Sequence, residues 1–174
     1  MYNIFIYFLP QRLAKCKKFF VFTWIFRNPK TCFQTNLFSG KKGADGYVVV
    51  APFWQTYSIY PSDAEMEALI RNSTVYLEER DYVNSEKLGL TGFCAGGRYT
   101  MLFLPQIKEF KSGVAWYGFP YTGGAKIQPD KPASLIDQLN APMLMIHGTR
   151  DQATTFLTST DTQMNWMLLT NTSN

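Results

Sequence analysis

Histidine is almost missing from these 174 residues: His147 stands alone. One imidazole cannot build a multi-histidine metal site and restricts the proton relays that these residues could form, and neither a metal nor any other cofactor is expected. Cysteine is scarce as well. Cys16, Cys32 and Cys94 make an odd number at irregular spacing, in a chain long enough to form a core without staples, so a disulfide framework is not expected and a reducing, cytoplasmic setting is. Long apolar runs are absent too. Ile4 to Leu9 stops at Pro10 with its positive charges behind it, the reverse of a secretory signal, and Phe19 to Phe26 falls far short of the roughly 20 residues that span a bilayer. No transmembrane segment is expected. Asn72-Ser73-Thr74 and Asn171-Thr172-Ser173 match the glycosylation acceptor pattern, but without an export signal they read as coincidence. Seventeen Lys plus Arg against thirteen Asp plus Glu leave a net charge of +4, too small a surplus to imply a nucleic-acid partner.

What is present is a hydrophobic content of 46%, which is enough to bury the core of one globular domain. Charge divides the chain: residues 1–50 carry eight basic side chains against Asp45 alone. Residues 1–42 are expected to be an irregular basic and aromatic extension, since their apolar positions keep no steady helical period. Organisation is expected from residue 43 to residue 155, followed by an atypical tail over 156–174. Tyr47-Val48-Val49-Val50-Ala51 is a β-branched run closed by Pro52, as in a strand buried on both faces. Ser62-Asp63-Ala64-Glu65 is a capping box, and Met66, Leu69, Ile70, Ser73 and Leu77 follow at helical spacing to about Arg80. Lys87 to Phe93 reads as a strand, Arg98 to Phe110 as a helix that Pro105 kinks or ends, and Val114 to Tyr117 and Met143 to His147 as two more strands. Strands alternating with helices imply an α/β fold with a mostly parallel sheet and helices on both faces. Gly123 to Pro132 reads as a surface connection.

The chemistry concentrates in Gly92-Phe93-Cys94-Ala95-Gly96-Gly97, where a strand gives way to a helix. A nucleophile on so sharp a turn needs small neighbours, because the backbone is strained and adjacent elements pack close, and Gly92, Ala95, Gly96 and Gly97 supply them. Cys94 would stand at the helix's amino end, where the dipole favours a thiolate, with the Ala95 N–H facing a developing oxyanion. The same residues also suit a buried structural cysteine in a glycine-rich turn.

Four stretches together resemble the dienelactone hydrolases (carboxymethylenebutenolidases) of the α/β-hydrolase superfamily. They are Gly46 to Pro52, Lys87 to Gly97, Val114 to Gly118 and Ala141 to Asp151, in the family's order. The resemblance implies an α/β-hydrolase-like enzyme, incomplete at its N-terminal edge and C-terminal end. It would hydrolyse a small-molecule lactone or ester through a Cys–His–Asp triad, with Cys94 as nucleophile and Asp151 as acid. The family's histidine follows the acid, whereas His147 precedes it and no histidine follows Asp151. His147 is therefore a poor candidate base, and impaired activity is expected of a truncated copy. A non-catalytic protein that binds small ligands or depends on a partner is the alternative. No pattern in the sequence specifies an oligomeric state.

Overall fold

The computed structural model describes residues 4–6, 18–24, 47–52, 61–81, 83–148 and 151. The expected tail over 156–174 lies outside them. Six strands form one sheet in the order β1-β3-β2-β4-β5-β6. They are β1 (Ile4–Ile6), β2 (Lys18–Trp24), β3 (Tyr47–Pro52), β4 (Leu88–Phe93), β5 (Phe110–Trp116) and β6 (Met143–Ile146). All neighbours run parallel except β1, which pairs antiparallel with β3.

Residues 18–24 correct the expectation of an irregular start. They form a seven-residue strand inserted between β3 and β4, with Ile4–Ile6 as a short outer strand. The physical reason is that a strand flanked by two others is specified by β-branched and aromatic content, which Phe19 to Trp24 has, and needs no helical period.

Helix α1 (Asp63–Glu78) starts where the capping box predicts. Ser62 Oγ accepts from the Glu65 N–H at 3.2 Å and Glu65 Oε2 accepts from the Ser62 N–H at 2.7 Å. Its Met66, Leu69, Ile70, Ser73 and Leu77 are buried; each fully buried apolar side chain among them is worth about 1.5–3 kcal/mol. Helix α2 (Ala95–Phe103) ends before Pro105, whose ring cannot continue a helix. The strand after it begins at Phe110, four residues earlier than the apolar run suggests, because β5 extends alongside the whole of β4.

Helices α1 and α2 follow crossovers in the same direction across the sheet, so the right-handed rule sets both on one face, where they touch. Leu90, Gly113 and Met143, in register on β4, β5 and β6, face them. A Cβ on Gly113 would lie 2.6 Å from Leu104 Cδ2 just past α2. The chain leaves β2 toward one edge of the sheet and β4 toward the other, although β2 and β4 are neighbours. The carboxyl ends of strands at such a reversal are where parallel α/β sheets bind ligands.

Candidate active site

Strand register alone assembles the candidate site. Trp24, Phe93, Trp116 and Ile146 form one row across β2, β4, β5 and β6. The residues that follow three of those strands, Cys94, Tyr117 and His147, therefore stand side by side beyond the sheet's carboxyl edge. Two hydrogen bonds carry the ladder past the row: the Cys94 N–H donates to Trp116 O at 3.0 Å and the Tyr117 N–H to Ile146 O at 2.7 Å. At ~4.8 Å per strand, the backbones of Cys94 and His147 lie about 10 Å apart with Tyr117 between them.

Cys94 has φ 58° and ψ −121°, a conformation that L-residues adopt only under constraint. Such a backbone costs on the order of 1–3 kcal/mol, and packing must hold it. Two glycines do so. A Cβ on Gly97 would lie 2.6 Å from Trp116 O and 2.9 Å from Gly118 Cα, and one on Gly118 would lie 2.5 Å from the Gly97 carbonyl carbon and would strike Met101 Cε. Helix α2 thus rests on the Trp116-Tyr117-Gly118 turn backbone against backbone. Gly92 is buried within β4 opposite Ala115, and Gly96 is buried in the first turn of α2, its carbonyl accepting from Thr100 Oγ1 at 3.0 Å. Ala95 opens the helix, and Cys94 is half-buried and free of any disulfide.

One turn beyond the cysteine, Arg98 is buried at 2% exposure. Its guanidinium donates to both carboxylate oxygens of Asp63, at 2.6 and 3.1 Å, and to Thr122 O at 3.0 Å and Asp130 O at 2.8 Å. The fork ties α2, the first turn of α1 and the 122–130 connection into one unit, a use of planar donors that lysine could not make. Sequence reading missed it. The available signal was a lone cation in an otherwise apolar helix, with an acidic residue in the first turn of the helix before.

His147 and Asp151 face each other, His147 Nε2 lying 3.7 Å from Asp151 Oδ2. The Asp151 N–H donates to Gly148 O at 3.1 Å and closes the turn that brings them together. Tyr117 is 42% exposed and has φ 36°. Partial burial pushes its phenol pKa up, and a charge on the neighbouring Cys94 pushes it the same way. Among the described residues, no three His, Cys, Asp or Glu side chains gather to hold a metal ion, and no helix is long and apolar enough to cross a membrane.

The sequence matches the model described as "Dienelactone hydrolase family" over residues 40–166. The chain belongs to the dienelactone hydrolase family. Among curated proteins, it is 31% identical over 126 residues to the "Putative carboxymethylenebutenolidase" of Escherichia coli strain K12, covering 63% of this chain and 46% of that protein. It is also 31% identical over 88 residues to the "Probable 2-oxo-3-(5-oxofuran-2-ylidene)propanoate lactonase" of Bradyrhizobium sp., covering 50% of this chain and 34% of that one. The chain thus spans less than half the length of these curated relatives. Among solved structures, the "Putative Dienelactone Hydrolase" of Klebsiella pneumoniae superposes with a TM-score of 0.75 at 21% identity, over 92% of this chain and 71% of that one. The shared fold is that of the α/β hydrolases, a mostly parallel sheet with packed helices.

Proposed function

We propose that this member of the dienelactone hydrolase family hydrolyses lactones or small carboxylic esters by acyl transfer through Cys94. The observation that carries the reading is the strained strand-to-helix turn at Cys94, at the carboxyl edge of the sheet beside its reversal point. The thiolate sulfur bonds to the carbonyl carbon while the carbonyl electron pair moves onto oxygen, where the Ala95 N–H at the head of α2 is the donor. Collapse breaks the carbon–oxygen bond of the ester, and the alkoxide leaves, still tethered when the substrate is a lactone. Water then cleaves the thioester.

Acylation by an activated ester needs only a thiolate and oxyanion donors, because its leaving group departs as a stable anion; an alkoxide must take up a proton from water as it leaves, and deacylation needs a base. The single imidazole of the sequence, His147, is turned on Asp151 and stands about two strand spacings from Cys94. Thioester cleavage is accordingly the slow step. With p-nitrophenyl acetate, the expected outcome is a burst of nitrophenolate close to one equivalent, an acetyl group on Cys94 by mass spectrometry, and a slow steady phase. Cys94→Ala abolishes the burst. No release above buffer, with ester analogues still bound, would replace the enzyme with a ligand-binding protein.

A further inference from the structure

We propose that Tyr117 contacts the substrate in this site, its phenol donating a hydrogen bond to the carbonyl oxygen as the bond to Cys94 forms. The inference rests on the acyl-transfer reading above and adds a donor to the Ala95 N–H. Four observations carry it. Tyr117 occupies the register position next to Cys94, on the side toward His147 and Asp151. Cys94 and Tyr117 are the non-glycine residues with positive φ among those described, at 58° and 36°, on adjoining strand ends. Such strain persists only where surroundings impose it, and it concentrates at functional sites. Those surroundings are visible here: the Gly97–Gly118 backbone contact and the two hydrogen bonds at Trp116 O and Ile146 O hold both turns together.

The ring is also available. It sits 6.0 Å from Phe93, the residue before the cysteine, and remains 42% exposed rather than folded into the core. The chemistry selects a donor rather than a base. A phenol whose ionisation is pushed upward by desolvation and by the adjacent sulfur keeps its proton at working pH and offers it to an oxygen gaining charge. Among the described residues of this register row, Tyr117 carries the hydroxyl, since its neighbours following β4 and β6 are Cys94 and His147.

Tyr117→Phe keeps the ring and the backbone and removes only the hydroxyl. Two reagents separate its roles. p-Nitrophenyl acetate acylates the thiolate through an oxyanion; iodoacetamide alkylates the same thiolate by direct displacement with none. The expected result is an acylation rate at Cys94 about ten-fold or more below wild type, with the iodoacetamide rate within two-fold; the loss is smaller than the roughly 10²–10³-fold of a fully enclosed oxyanion donor because this one is partly exposed. An unchanged acylation rate overturns the proposal and leaves the hydrolase reading standing. Equal slowing by both reagents also overturns it, since the hydroxyl would then act on the thiolate and not on the oxyanion. Wild-type protein that iodoacetamide labels at Cys94 but the ester does not would sink the acyl-transfer reading itself, and the proposal with it.

Discussion

Replacing Gly97 by alanine sets helix propensity against packing at the one place where the fold and the site share atoms. In a free helix the change would stabilise by about 1 kcal/mol, because glycine loses the most backbone freedom on ordering. Here the new methyl would meet Trp116 O at 2.6 Å, Gly118 Cα at 2.9 Å and Gly118 N at 3.0 Å. Non-bonded carbons settle at about 3.5–4.0 Å, so α2 and the turn after β5 must part by roughly half an ångström or more. All three atoms are backbone and cannot rotate away. Overpacking costs about 1–3 kcal/mol, and three backbone contacts at once place this case in the upper half of that range, about 2–3 kcal/mol, which outweighs the propensity gain and leaves a net loss of roughly 1–2 kcal/mol. Urea unfolding followed by circular dichroism would report it as a lower midpoint at unchanged slope. Acylation of Cys94 should fall further than the unfolded fraction accounts for, because a shift approaching 1 Å at a reacting group costs on the order of 10²-fold. Gly113→Ala is the control. The three atoms nearest its methyl all belong to the Leu104 side chain, whose end can turn where backbone cannot, so the midpoint should move less than in Gly97→Ala. A Gly97→Ala midpoint at or above that of wild type would refute the claim that close backbone approach, rather than local flexibility, explains the glycine.

Removing the Arg98 side chain by Arg98→Ala leaves the Asp63 carboxylate buried without its counter-charge and two carbonyls without a donor. A loss of about 3–5 kcal/mol is expected, largely recovered in stability by the double variant Asp63→Leu, Arg98→Met; unfolding curves of the three proteins would check it. Tyr99 donates to Pro61 O at 3.2 Å and accepts from Gln128 at 3.1 Å, and burial pushes its phenol from 10.0 up to about 12. Between those values the unfolded chain releases a proton that the folded chain keeps, so this contribution is intact below pH 10 and is lost as pH rises toward 12. Thermal unfolding should therefore weaken less over that range in Tyr99→Phe than in wild type, at a cost of about 1 kcal/mol near neutrality from the lost hydrogen bonds.

Much of the molecule was legible in local chemistry. Ser62 and Glu65 announce a helix start through reciprocal hydrogen bonds that span three residues. Met66, Leu69, Ile70 and Leu77 announce its buried face, and Pro105 the end of the next helix. Gly92 to Gly97 announce a tight strand-to-helix turn because only small residues tolerate one. The strands at Ile4–Ile6 and Lys18–Trp24 were not legible as such. A short aromatic run has no period to read, and its partners, β3 and β4, lie 23 or more residues away in sequence.

Residue chemistry alone names the groups that could react: a cysteine among glycines, an acid after the last described strand, and a single imidazole. Which of them stand side by side is set by how the strands and helices assemble. In a parallel sheet, neighbours come from segments joined by long crossovers, so the row that sets Tyr117 between Cys94 and His147 depends on register across three strands. The reach of Arg98 to Asp63 depends likewise on two helices packing on one face. Pairings of that kind are selected by burial summed over the whole core, and no stretch of the chain read alone contains that sum.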